Sequence, residues 1–194
     1  SRLGRHLCMS LACRFDAGLV ALNGLSLAVG VVVAQVLRQL GATAVGLKWP
    51  NDLLLDGHKL GGILVETAAA GRGPVLAVIG IGVNVHAGEL AGIDQPWTTL
   101  DEHCAQPPSR DALAAALLDA LVPALALFRR QGLAAFLPGY AALDLLAGQA
   151  VWVHDAQGRH PAQALGLAED GALRIIDANG ERRLHAGHVS VRKQ

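Results

Sequence analysis

Three short clusters hold the residues whose types and spacing could do chemistry. Lys48-Trp49-Pro50-Asn51-Asp52 gathers a cation, a carboxamide and a carboxylate around a rigid proline. That set suits phosphate with Mg²⁺, which takes one or two carboxylates plus phosphate oxygens. It also reads as a Pro-Asn-Asp turn beside a surface lysine. Lys59-Leu60-Gly61-Gly62-Ile63-Leu64-Val65-Glu66 brings a second lysine into an apolar run whose two glycines admit a close ligand or backbone. Gly80-Ile81-Gly82-Val83-Asn84-Val85 repeats the device, with two small positions and a polar end. Glycines in strands usually mark bulges or tight packing, so each cluster alone is weak.

The elements that must position these residues follow from periodicity. Residues 6–15 alternate as a strand, and residues 25–40 form a helix stopped by Gly41. Residues 45–48 make a short strand running into the Trp49–Asp52 turn, and residues 53–55 and 60–67 pair around Asp56-Gly57-His58. A Gly71-Arg72-Gly73-Pro74 loop precedes an apolar strand over 75–85. Ser109 caps a helix striped by Leu113, Leu117, Leu121, Leu125 and Phe128, which Pro123 is expected to kink or divide. A shorter helix is expected at about 140–146, ending at Gly148. Beyond Gln149 come five short β-type segments, 150–154, 162–167, 172–176, 182–185 and 189–191, the pattern of a small barrel.

Composition removes several function classes. Sixteen Lys+Arg offset sixteen Asp+Glu, so the broad basic footprint of a nucleic-acid binder is absent. With 52% hydrophobic and 16% charged residues among 194, the chain is made to bury a core. Cys8, Cys13 and Cys104 lack zinc or redox spacing and read as buried, reduced thiols of a cytoplasmic protein. Residues 17–37 carry no charge and could span a bilayer by length. Asn23, Ser26, Gln35 and three glycines within them, with no flanking Lys/Arg cluster, favour a buried helix, so no membrane association is expected. Phosphate-loop, zinc-protease and nucleophile-elbow motifs are missing, and Gly80-x-Gly82 has Val85 where a dinucleotide fingerprint needs its third glycine. His154, His160, His185 and His188 raise a metal site in the β module, without an acidic or cysteine partner at suitable spacing.

Taken together and in this order, the clusters resemble the biotin protein ligases. The resemblance runs from Arg14-Phe15 and the Gly24-Leu25-Ser26-Leu27 helix start through Lys-Trp-Pro-Asn-Asp and Lys-Leu-x-Gly-Ile-Leu-x-Glu to the C-terminal β module. It implies an α+β fold, with a mixed β-sheet backed by helices, like the class II aminoacyl-tRNA synthetases, over 1–147, and an SH3-like β-barrel over 148–194. The implied reaction condenses biotin with MgATP to biotinyl-5′-adenylate and passes the acyl group to a lysine of a carboxylase's biotin carrier domain. By matching positions, Lys59 is the catalytic residue, touching the biotin carboxylate and the α-phosphate. Ser10, Gly62, Leu64 and Gly80 join it on the biotin side, with either Leu64 or Ile63 lining the apolar pocket. Lys48, Asn51, Asp52, Gly82, Asn84 and Arg192 fall on the nucleotide side, with Asp52 at the metal and Asn84 near the adenine. Family members often pair through the catalytic sheet.

The departures from the family are also specific. Its Arg/Gly-rich loop is expected just before the segment matching residues 1–4, so the chain reads as N-terminally truncated. His188 stands where Gly187-His188-Val189-Ser190-Val191-Arg192 would carry glutamate. Two other readings stay open: a relic that binds nucleotide or a partner without transfer, and a β module that binds protein with the larger domain as scaffold.

Overall fold

The computed structural model describes residues 5–69, 74–87, 96–156, 158–186 and 190–193. Five strands, β1 (His6–Phe15), β2 (Gly46–Lys48), β3 (Asp52–Leu55), β4 (His58–Ala69) and β5 (Val75–Asn84), form a sheet in the order β1-β5-β4-β3-β2. All four pairings are antiparallel, so the expected mixed character is confined to isolated parallel bridges Leu47↔Asp144 and Lys59↔Trp97. Asp56 (φ 49°) and Gly57 (φ 81°) are both left-handed at the β3–β4 turn, the backbone twist that a two-residue hairpin needs.

Strand alternation gives this sheet two unlike faces. Leu7, Phe15, Leu53, Ile63, Ile79, Ile81 and Val83 are buried on one face, while Cys8, Ser10, Gly62, Leu64, Gly80 and Gly82 fall on the other. Helix α1 (Leu25–Gln39) packs against β2, β3 and β4 and against α2 (Arg110–Gln131). Five valines make α1 a modest helix former, so its stability comes from packing, with eleven residues buried. By length and composition both 19–39 and 110–141 are apolar enough to cross a bilayer. In α1 that apolarity is taken up by the sheet and α2.

Helix α2 begins where Ser109 accepts from the Ala112 N–H at 3.2 Å and buries the expected leucine stripe with Phe128. It is not divided at Pro123, which is solvent-exposed, as is Asp119 one turn earlier. Water there can take the carbonyl that loses its N–H partner. The expected 140–146 helix is displaced: α3 spans Leu137–Ala141 and turns follow. The competitor is β2, since Leu47 N–H donates to Leu143 O (2.7 Å) and Leu145 N–H donates to Leu47 O (2.9 Å).

The C-terminal sheet comprises β6 (Ala150–Asp155), β7 (Gly158–Leu167), β8 (Leu173–Asp177), β9 (Gly180–Leu184) and β10 (Ser190–Lys193), ordered β10-β6-β7-β8-β9. Among the described residues β9 and β10 do not pair, so the sheet is open where a closed barrel was expected. Residues 71–73 of the expected glycine loop, and Gly187, His188 and Val189, lie outside the described residues. The sheet is clasped to the larger unit by Trp49, whose buried indole N–H donates to Gly171 O at 3.1 Å.

Candidate active site

The outer face of the first sheet carries the sequence-nominated residues. Across it runs one row, Cys8–Gly82–Gly62–Asp52, and beside it a second, Ser10–Gly80–Leu64. Three of these seven positions are glycine, so the middle of the face is a flat strip of backbone. An open cavity of about 400 Å³ lies over it, lined by Ser10, Asn51, Asp52, Lys59, Gly62, Leu64, Gly80 and Gly82 together with Cys8, Met9, Ile63 and Ile81. Leu64 is 59% exposed on the cavity side, whereas Ile63 is 2% exposed and belongs to the core.

The glycines differ in why they are there. A Cβ on Gly61 would sit 2.2 Å from Gly82 O, so the fold itself forbids a side chain. A Cβ on Gly80 would meet nothing nearer than Leu64 O at 3.5 Å, and one on Gly82 nothing nearer than Gly62 O at 3.9 Å. Packing does not require glycine at those two positions. Both lie on the cavity floor, where side chains would fill the space above the sheet.

One end of the strip is charged. Lys59 Nζ lies 2.5 Å from Asp52 Oδ1, and Lys48 Nζ lies 3.7 Å from Asp52 Oδ2, with all three side chains less than one-third exposed. Two ammonium groups meet at one carboxylate here, at the mouth of an apolar floor, and cations so placed suit an anion. Asn51 is fixed by a reciprocal pair: its Nδ2 donates to Ile63 O (3.0 Å), and Ile63 N–H donates to Asn51 O (2.9 Å). A resident Mg²⁺ does not fit this donor set. Among the described residues Asp52 is the sole carboxylate lining the cavity, both its oxygens face ammonium groups, and the Asn51 amide nitrogen is committed. A divalent ion would have to arrive on phosphates.

Lys48 and Asn84 stand outside the cavity lining. Asn84 Nδ2 donates to Lys59 O (3.3 Å) and Thr98 O (3.1 Å). Arg192 is placed in β10 opposite Trp152, and its side chain lies outside the described residues. Cys8 corrects the expectation of three buried thiols: it is exposed on the cavity face, Cys13 is partly buried and only Cys104 is buried, all three free. Strand alternation with Ser10 was the signal that places Cys8 there. His160 is drawn into an ion network with Asp155, Asp177 and Arg182, and no cluster able to hold a metal exists among the described residues. The segment around Thr98 and His103, which reaches Lys59, carried no periodic signal.

With this geometry in hand, the comparisons point one way. Residues 3–84 match the biotin/lipoate A/B protein ligase family. The chain is 38% identical over 194 residues to the bifunctional ligase/repressor BirA of Escherichia coli K12, aligning 99% of itself with 60% of that protein. It is 33% identical to the biotin–[acetyl-CoA-carboxylase] ligase of Mycobacterium tuberculosis, over 91% of this chain and 62% of that one. It therefore spans about three-fifths of the length of these relatives. Among solved structures, the biotin protein ligase of Aquifex aeolicus in complex with biotin and ATP superposes with a TM-score of 0.83 at 25% identity, covering 98% of this chain and 79% of that one. The family match, these relatives and the shared fold together support a member of the biotin protein ligase family.

Proposed function

We propose that this protein attaches biotin to a lysine of a carboxylase's biotin carrier domain at the expense of ATP. The observation that carries the reading is the glycine-floored strip with Lys59, Asp52 and Lys48 at one end. A flat, largely apolar ring system suits the strip, and an anion suits its charged end. Biotin offers both, with Ser10 as hydrogen-bond partner for the ureido ring and Leu64 against the apolar part.

In the first step a biotin carboxylate oxygen attacks the α-phosphorus of ATP, and the bond to the leaving pyrophosphate breaks. Both reactants are anions. Lys59, held by Asp52 beside Gly62, reduces their repulsion and stabilises charge as it builds on the phosphoryl oxygens. Lys48 faces the remaining phosphates, and Gly82 leaves room for the nucleotide side. Arg192 is assigned to the nucleotide by resemblance alone. In the second step the carrier lysine's amine attacks the acyl carbon, loses its proton, and AMP departs with the electron pair of the broken C–O bond. We assign residues 1–147 to catalysis and 148–194 to an SH3-like module, which the five-strand antiparallel order supports.

The test is biotin-dependent exchange of labelled pyrophosphate into ATP, compared between the unaltered protein and Lys59→Ala. Loss of a donor aimed at developing charge should slow exchange by about a hundredfold or more. Exchange at the parental rate in Lys59→Ala would overturn the assignment. Binding of biotin and ATP by the unaltered protein without any exchange would favour the relic that binds but does not transfer.

A further inference from the structure

Lys48 and Asp52 stand at the two ends of one turn. They face each other across the last rung of the β2–β3 ladder, which is three residue pairs long and lies at an edge of the sheet. A hairpin with so short a ladder is marginal by itself, so the position of its tip is set by whatever grips residues 49–51. On the inner side that grip is the reciprocal Asn51–Ile63 pair, which ties the tip to β4. On the outer side it is Trp49, 2% exposed, whose indole N–H donates to Gly171 O at 3.1 Å. The charged end of the site is therefore held between the two sheets.

The acceptor is itself built to stay in place. Gly171 N–H donates to Ala168 O (3.0 Å) and Ala168 N–H to Ala172 O (2.9 Å), while Ala172 N–H donates to Asp170 Oδ1 at 3.1 Å. These three bonds close a tight turn just before β8. Gly171 is left-handed there (φ +83°), and α1 packs so closely that a Cβ on it would come within 2.9 Å of Leu27 Cδ1. Asp170 also faces Arg183 of β9 at 3.6 Å, a partly exposed pair. The turn belongs to the C-terminal sheet, is seated on α1, and presents one carbonyl to Trp49.

We propose that Trp49 is a positioning residue through which the C-terminal sheet holds Lys48 and Asp52 in register with Lys59. The proposal rests on the reading of those three residues given above. Asp52 lies 2.5 Å from Lys59 and 3.7 Å from Lys48. A drift of about 1 Å at the tip would part charges that must act on one anion. Trp49 suits the task because its indole is rigid and bulky, and burying its N–H without a partner is costly. The C-terminal sheet then acts on the nucleotide side of the site with no ligand contact required of residues 168–172.

Asp170 gives the experiment a handle outside the site. Asp170→Ala removes the acceptor that closes the turn, and Asp170→Asn keeps an oxygen in its place. Hydrogen exchange at the Trp49 indole N–H, read by NMR, should quicken about tenfold in Asp170→Ala, the effect of losing one hydrogen bond of ordinary net worth. It should return to the parental rate in Asp170→Asn. Affinity for ATP should follow the same pattern, falling about tenfold in Asp170→Ala, the worth of one charge-assisted hydrogen bond. Affinity for biotin, whose proposed partners Ser10, Leu64 and Gly80 lie on β1, β4 and β5, should stay within about twofold. Trp49→Phe, which keeps a buried ring without the N–H, should weaken ATP binding as much and quicken exchange at the Ile63 amide. Parental ATP affinity in both Asp170→Ala and Trp49→Phe would overturn the proposal. Equal losses for ATP and biotin would overturn it too, since they mark a general loosening of the fold. Should Trp49→Phe fail to fold, the Asp170 variants decide alone. If Lys59→Ala also binds both ligands as the parent does, the reading of the site fails; if only the Trp49 and Asp170 variants are silent, the clasp alone fails.

Discussion

Asp52 stands between two ammonium groups delivered by different strands, Lys59 from β4 and Lys48 from β2. The register explains the meeting: Asp52 is opposite Lys48 on one side and Gly62 on the other. Lys59 lies along the strand and reaches back to the carboxylate, its Cε 3.8 Å from where a Cβ on residue 62 would be, an ordinary packing distance. Asp52 thereby keeps two like charges close enough to act on one anion.

Removing that carboxylate should make the two lysines repel. Asp52→Ala is expected to lose about 1–2 kcal/mol of stability in urea unfolding, less than for a fully buried pair because the lysines are partly solvated. Pyrophosphate should restore part of it, raising the Tm of the variant more than that of the parent. Equal shifts in Tm would show that the three groups are not coupled through an anion site.

Acid sensitivity should be traceable to one carboxylate of the C-terminal sheet. Asp177 is held below its ordinary value of 3.8, first by the Asn179 backbone N–H and then by Arg182 and His160. An acid whose pKa is lower folded than unfolded stabilises the fold above its unfolded value, and that contribution is lost as pH falls through the folded one. Stability should thus fall below about pH 4, and Asp177→Asn should flatten the slope there. Denaturant midpoints measured from pH 5 down to 2 that keep the same slope in both proteins would remove Asp177 from the account.

Much of the site was readable because strand alternation is strict. Once residues 6–15, 60–67 and 75–85 are strands, Ser10, Leu64 and Gly80 fall on one face, and the structure pairs them as one row. Local capping was equally legible at Ser109. What escaped were contacts between distant segments. Residues 142–147 form turns because Leu143 and Leu145 bond to Leu47, which overrides their helical spacing. Residues 96–98 reach Lys59 through main-chain hydrogen bonds that carry no side-chain code. The Asp155–His160–Asp177–Arg182 network likewise joins four strands, β6 to β9, through side chains whose meeting depends on the sheet.

The two sheets should unfold as one unit because of the Trp49–Gly171 clasp. Gly171 has φ +83°, and a Cβ there would come within 2.9 Å of Leu27 Cδ1 and 3.0 Å of Leu133 Cδ2. Gly171→Ala combines backbone strain with overpacking and should cost about 2–3 kcal/mol. Because the damage lies at the junction, the variant is expected to melt in two steps, β6–β10 first, where the parent melts in one. A single transition in Gly171→Ala, merely shifted, would mean that the sheets are coupled elsewhere.

The glycines of the strip offer the sharpest separation of fold from function. Gly80→Ala and Gly82→Ala place a methyl where the nearest atoms are 3.5 Å and 3.9 Å away, so neither collides with the protein. Alanine also loses less chain entropy on folding than glycine, so each variant should match the parent or gain up to about 1 kcal/mol. Gly61→Ala meets Gly82 O at 2.2 Å and must displace main chain, so it should lose about 3 kcal/mol or more. Ligand binding should rank the variants differently. A methyl on the cavity floor lifts a flat ligand off the sheet, and Gly80→Ala and Gly82→Ala should weaken biotin or ATP binding by about tenfold or more while remaining folded. Urea unfolding and calorimetric titration on the same preparations read both quantities. If Gly80→Ala and Gly82→Ala bind both ligands with parental affinity, the strip is not where they lie, and the site must be sought away from this face of the sheet.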